Sequence, residues 1–183
     1  MDYLAPDGVR TRGTVIVVPG RGETPGVYAR FGARLASDAY RVRVVEAPGT
    51  VADLADRLAD AVDGIADGLV RPLVLVGSDL GAATIAALLT GFVPDALLDA
   101  VYQSVTDVPQ LLLVGDADPL ADRSAIARAA KSQPAARLAV VRGGHHDVLN
   151  DVQHRSVAAE VVTFLEAVRD GLSPAIAVEA STW

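Results

Sequence analysis

Runs of β-branched and leucine residues alternate along this chain with stretches in which apolar side chains recur every three or four positions. Thr14-Val15-Ile16-Val17-Val18 is a strand-like run ended by Pro19-Gly20, and Tyr28–Ser37 follows with helical spacing. Arg41–Glu46 is the next strand, closed by Pro48-Gly49. Val51, Leu54, Leu58, Val62 and Ile65 then mark one face of a helix whose other face carries Asp53, Asp56, Asp60 and Asp63. Leu73–Val76 and the helix from Ala82 to Thr90 form a third strand–helix unit. Leu111–Val114 is a strand, Arg123–Ser132 a helix and Arg137–Val141 a strand; Val157, Val161, Phe164, Leu165 and Val168 mark the last helix. Continuous apolar strands alternating with helices mean strands buried on both faces. The predicted class is therefore α/β: a doubly wound, mostly parallel sheet of about five or six strands with helices on both faces.

Pro94–Val105 admits two readings. Leu97, Leu98, Val101 and Val105 fall on one helical face and Pro94-Asp95 suits a first turn, which favours helix over a further strand. The chain reads as one domain over residues 1–171, with residues 172–183 as a tail that ends in the only tryptophan. A frayed terminus is the simpler reading of that tail; docking on a neighbouring subunit would make the protein a homo-oligomer.

At 183 residues, 51% of them hydrophobic, the chain can bury a sizeable core. It has no cysteine, which excludes disulfides, thiolate nucleophiles and cysteine metal sites. The net charge is −7 and Lys131 is the only lysine, so nucleic acid and anionic membranes are poor partners. No basic stretch followed by an apolar one opens the sequence, and no apolar run approaches the length of a membrane span. A cytoplasmic protein acting on a small molecule is expected.

Gly77-Ser78-Asp79-Leu80-Gly81 lies between the apolar run Leu73–Val76 and a helix. Strand, Gly-x-nucleophile-x-Gly, helix is the layout of a nucleophile elbow, with Asp79 at the centre where serine is usual. The plainer alternative makes Asp79 the N-cap of its helix. Asp116 and Asp118 both stand at a strand end; the spacing from Gly115 and the following Pro119 favours Asp118 as functional and Asp116 as a turn former. His145, His146, Asp147, Asp151 and His154 cluster locally, but in no metal motif, so neither a metal nor a cofactor is expected. Gly20-Arg21-Gly22 lacks the endings of a P-loop or a dinucleotide fingerprint. It reads better as half of an oxyanion hole, with the N–H groups of Arg21 and Leu80 aimed at one point.

In this order the motifs resemble the α/β-hydrolases, in particular the lysophospholipase and monoacylglycerol-lipase-like branch. Val17–Glu23 followed by Tyr28 resembles that branch's His-Gly-x-Gly-Glu loop, with Pro19 in the place of the histidine. Gly115-Asp116-Ala117-Asp118-Pro119 is similar to its Gly-x-x-Asp-Pro acid loop, and Gly144–Asp151 to its histidine loop. The resemblance implies Asp79 as nucleophile, Asp118 as acid and His146 as base. Arg21, Tyr28 and Tyr102 are the candidate substrate-binding residues. Epoxide hydrolases and haloalkane dehalogenases are the branches with an aspartate nucleophile, and they usually carry a tryptophan after it and a helical cap. Here Leu80 follows, and residues 91–111 hold one short element at most, so no cap is expected and the fold's usual sixth strand is in question. A hydrolase of an epoxide, ester or lactone bond is the first functional reading. A silent fold kept for binding, or a lyase or cyclase, is the second.

Overall fold

The computed structural model describes residues 1–65 and 68–172. The chain runs β1 (Asp2–Tyr3), β2 (Gly13–Val18), α1 (Ala29–Ser37), β3 (Tyr40–Val44), α2 (Val51–Asp63), β4 (Leu73–Gly77), α3 (Leu80–Thr90), α4 (Ala100–Gln103), β5 (Gln110–Gly115), α5 (Arg123–Ser132), β6 (Ala136–Val141) and α6 (His154–Arg169). Short 3₁₀ turns at Pro25–Tyr28 and Leu97–Asp99 lead into α1 and α4. The strand–helix alternation expected from the apolar pattern is present throughout. The tail at 173–183 lies outside the described residues.

β2 is fully buried and is flanked by β3 and β4, both parallel to it. Because β3 and β4 lie on opposite sides of β2, the winding reverses there, which opens a crevice at the carboxyl ends of the strands. The alternating side chains of β2 feed two cores. Val15 and Val17 pack with Phe31 and Leu35 of α1 and with Val157, Val161 and Leu165 of α6. Ile16 and Val18 pack with Leu54 of α2 and Ile85 of α3. Full burial of an aliphatic side chain such as Leu35 or Leu54 contributes about 1.5–3 kcal/mol, so helices on both faces lock the central strand.

Two features depart from the sequence reading. The strand Asp2–Tyr3, antiparallel to β3, has too few residues to show a pattern; it is held by the paired bonds of Arg43 to Asp2, each 2.7 Å long. More consequential is a break in the sheet. β1, β3, β2 and β4 form one hydrogen-bonded sheet and β5 and β6 another, with no ladder joining β4 to β5. The residues between them make the 3₁₀ turn and the single turn of α4 instead of a strand. Helix was thus the right type for Pro94–Val105, but a short one. Ser104 is extended at ψ 135°, the side chain of Gln133 bonds to both the Ser104 carbonyl and the Thr106 N–H, and the helix stops there.

Candidate active site

Asp79 stands between β4 and α3 at φ 44° and ψ −115°, a conformation that L-residues adopt only under constraint. The flanking glycines supply that constraint. A Cβ on Gly81 would lie 2.3 Å from the Val18 carbonyl, and one on Gly77 would lie 2.5 Å from the Ala82 nitrogen. The turn is therefore pressed against the end of β2 and against its own helix, and the Asp79 side chain is thrust outward. Its carboxylate makes no bond to the amides of α3.

His146 faces it from the loop after β6. The imidazole Nδ1 is 2.9 Å from Asp118 Oδ2, and Nε2 is 3.8 Å from Asp79 Oδ1. The Asp118 carboxyl is only 5% exposed, and its second oxygen accepts the Leu120 N–H at 2.8 Å. Burial works to raise its pKa, but the Leu120 N–H and the His146 ring outweigh that and hold it below the ordinary carboxylate value. With Asp118 accepting at Nδ1, the neutral ring keeps Nε2 as its base, directed toward Asp79.

The neighbouring titratable groups serve the loops. Asp116 Oδ1 accepts the Gly143 N–H at 2.6 Å, and the Ala117 N–H reaches the Gly144 carbonyl at 3.0 Å, so the acid and histidine loops are fastened together. Gly115 permits that contact, since a Cβ there would lie 2.0 Å from the Gly144 carbonyl oxygen. His145 turns the other way: its ring and its backbone N–H both bond Asp151, whose pKa falls to about 2 under the His145 and Val152 amides. His154 bonds the Asp151 carbonyl. Among the described residues no group of three or more histidine or carboxylate side chains is placed to hold a metal ion.

The loop after β2 closes the third side. Arg21 Nε lies 3.9 Å from Asp79 Oδ2, with the guanidinium largely in solvent, where such a pair contributes little. The N–H groups of Arg21 and Leu80 make no hydrogen bond to another described residue. Glu23, the last residue of the Val17–Glu23 motif, accepts the Gly20 N–H at 2.6 Å and the Tyr28 hydroxyl, and so fixes the loop's curvature. Tyr28 is 1% exposed. Burial, then the Glu23 carboxylate, raises the pKa of its hydroxyl, which also meets Ser78 of the elbow. Tyr102, on α4, is half-buried and meets the backbone of Asp122 beyond the acid loop; burial raises its pKa too.

No family model matches the chain, and no curated protein matches it in sequence. Solved structures do match. A monoacylglycerol lipase of Paleococcus ferrophilus superposes with a TM-score of 0.70 at 14% identity, over 90% of this chain and 98% of that one. Est1E of Butyrivibrio proteoclasticus gives 0.69 at 12% over 93% of each chain, and the carboxylesterase CesB of Bacillus subtilis gives 0.66 at 16% over 88% and 85%. The fold is that of the α/β-hydrolases.

Within the α/β-hydrolase frame, the elbow lies at a strand end of the larger sheet and the acid and histidine loops at strand ends of the smaller one, with no cap domain among the described residues. Among the described residues, no helix is long and apolar enough to cross a membrane. Glu23, a motif residue in the sequence, and Asp116, a turn former in it, each hold a backbone amide, of Gly20 and of Gly143.

Proposed function

We propose that this chain is a hydrolase of a small organic substrate in which Asp79 is the nucleophile, His146 the base and Asp118 the group that holds the imidazole. One observation supports this most directly. The Asp79 carboxylate caps nothing on its own helix, and it lies 3.8 Å from a His146 nitrogen whose ring is tied at 2.9 Å to Asp118. A helix cap would instead bond the amides of the first turn. At 3.8 Å the carboxylate is not hydrogen-bonded to the ring, and its oxygen lone pairs stay available for attack.

The chemistry follows from the nucleophile. A carboxylate oxygen of Asp79 attacks an sp³ carbon and forms an alkyl ester, while the bond to the leaving oxygen breaks and that oxygen takes the electron pair. Arg21, at the mouth of the site, is placed to meet the resulting anion. His146 Nε2 then removes a proton from water, and the hydroxide adds to the carbonyl carbon of the ester. The N–H groups of Arg21 and Leu80 receive the charge on the tetrahedral oxygen; collapse expels the alkoxide, which takes the proton held by His146, and the remaining water proton passes from the regenerated carboxyl to the first leaving oxygen, restoring the Asp79 carboxylate. Epoxides and strained lactones fit this sequence. Attack on an ordinary acyl carbon would give a mixed anhydride, a less stable intermediate. No step calls for a cofactor, and the setting proposed is the cytoplasm.

Turnover in ¹⁸O water tests the mechanism. Label is expected first in the Asp79 carboxylate, and His146→Gln is expected to trap the adduct as a mass increase on the peptide that holds Gly77–Gly81. Label confined to product, with no adduct at any time, would remove Asp79 as nucleophile.

A further inference from the structure

The loop after β2 and the elbow after β4 each bring one N–H to the candidate site, that of Arg21 and that of Leu80, and neither is accepted by another described residue. The first of the two is held with unusual care. Gly20 and Glu23 close a turn in which the Glu23 N–H bonds the Gly20 carbonyl at 3.3 Å, with Gly22 at φ 72° in the third position, as a type II turn requires. The Glu23 side chain then returns to the start of the same turn, where Oε2 accepts the Gly20 N–H at 2.6 Å. One residue thus holds Gly20 at both its N–H and its carbonyl. Because a peptide unit is planar and trans, fixing the Gly20 carbonyl also fixes the Arg21 N–H in the opposite direction, out of the turn. The loop is seated closely on the elbow: a Cβ on Gly20 would lie 3.1 Å from the Ser78 carbonyl oxygen and 3.2 Å from the Asp79 Cβ.

Tyr28 anchors this arrangement. Its side chain is 1% exposed and belongs with Phe31 and Leu35 to the core. Its hydroxyl donates to the same Glu23 oxygen and meets Ser78, the residue before Asp79, so one buried phenol joins the loop to the elbow. We infer that Tyr28 and Glu23 are positioning residues of the oxyanion hole, which set where the Arg21 N–H stands relative to the Leu80 N–H. Under the aspartate mechanism proposed above, on which this rests, the pair belongs to one half of the reaction. While the ester forms, the Asp79 carboxylate loses charge, and a donor held near it gives no advantage. While the ester is hydrolysed, its carbonyl oxygen gains charge, and donors already in place stabilise that charge without rearrangement. Tyr28 and Glu23 therefore act on breakdown of the intermediate and not on its formation.

Mixing the protein with an excess of each of a series of terminal epoxides, from propylene oxide to styrene oxide, and following the mass of the Gly77–Gly81 peptide in time separates the two steps. Glu23→Ala is expected to form the adduct at the wild-type rate and to lose it about 10²-fold more slowly, the low end for one missing oxyanion donor. The adduct then accumulates, and kcat and KM fall together. Tyr28→Phe keeps the buried ring and removes one oxygen; it is expected to shift the same way by less, and it carries the test if Glu23→Ala fails to fold by circular dichroism. Glu23→Gln retains a carbonyl oxygen able to accept both bonds and is expected to recover most of the loss. A merely structural role would slow both steps together. That result, wild-type breakdown in the Ala and Phe variants, or Glu23→Gln as slow as Glu23→Ala would overturn the inference, while an adduct trapped in His146→Gln keeps Asp79 as nucleophile. No adduct in His146→Gln with any epoxide of the series would instead remove the nucleophile, and this inference with it.

Discussion

Two pairs of adjacent or near-adjacent residues at the candidate site have very different partners. His146 lies between Asp118 and Asp79, whereas His145 lies against Asp151 on the far side of its loop. His146→Ala is accordingly expected to lower kcat by about 10²–10⁴-fold, the usual worth of a general base, and His145→Ala to lower it only as far as the loop loosens. Asp118→Asn should likewise cost more than Asp116→Asn, because Asp116 fastens a backbone amide and touches no reacting atom. Activity of the four variants on a small epoxide checks both orderings; equal losses within either pair would reassign the roles. Acid sensitivity belongs to this scale too. Asp151 has a folded pKa of about 2, below the roughly 3.9 of a free aspartate. A depressed carboxylate contributes stability that is complete above the free value and is lost as the pH falls toward the folded one. The histidine loop is therefore expected to hold above about pH 4 and to release between there and pH 2, read by the chemical shift of the His145 amide.

Each candidate site side chain is carried by a turn whose tightness depends on a glycine, so substitutions there test the elements as built. Gly81→Ala would press a methyl group into the Val18 and Pro19 carbonyls, and Gly115→Ala into the Gly144 carbonyl, all of them backbone atoms that cannot step aside. Each is expected to cost about 1–3 kcal/mol in urea unfolding, against about 1 kcal/mol for Gly22→Ala, where the space is open and only the positive φ resists. The same contrast explains what the sequence disclosed. Glycines flanking Asp79 and preceding Asp116 mark close approaches by their spacing, and the apolar runs mark strands by their continuity, so the strand–helix units and the three loops were legible. Glu23 was legible as part of its loop motif and Asp116 as a turn former, but the amides and hydroxyl they hold were not, because a carboxylate near a turn has many ordinary partners. The cluster in which Tyr40 and Arg12 meet Glu166 of α6 joins residues more than a hundred positions apart, and no local pattern announces such a contact.

At the scale of the molecule, the lost pairing between β4 and β5 has a measurable signature. Even-numbered residues of β4 bond to β2 and even-numbered residues of β5 bond to β6, which leaves the amides of Leu73, Leu75, Leu111 and Leu113 facing the break. They are expected to exchange hydrogen faster than the amides of Val15 to Val18, which lie inside a ladder flanked on both sides; equal protection would mean that the break is closed in solution. The break also divides the candidate site. Asp79 belongs to the larger sheet, while Asp118 and His146 belong to the smaller one. The 2.9 Å contact between acid and imidazole is internal to one half and is as rigid as that half. The 3.8 Å between imidazole and nucleophile is a span between two bodies joined there by side-chain packing, without a backbone ladder. A gap of that kind is a mechanical tolerance. Side chains that meet beneath it, such as Val74, Val76, Leu111 and Leu113 in their shared core, act as shims, and changing their thickness resets the working distance of the site without altering any residue in it.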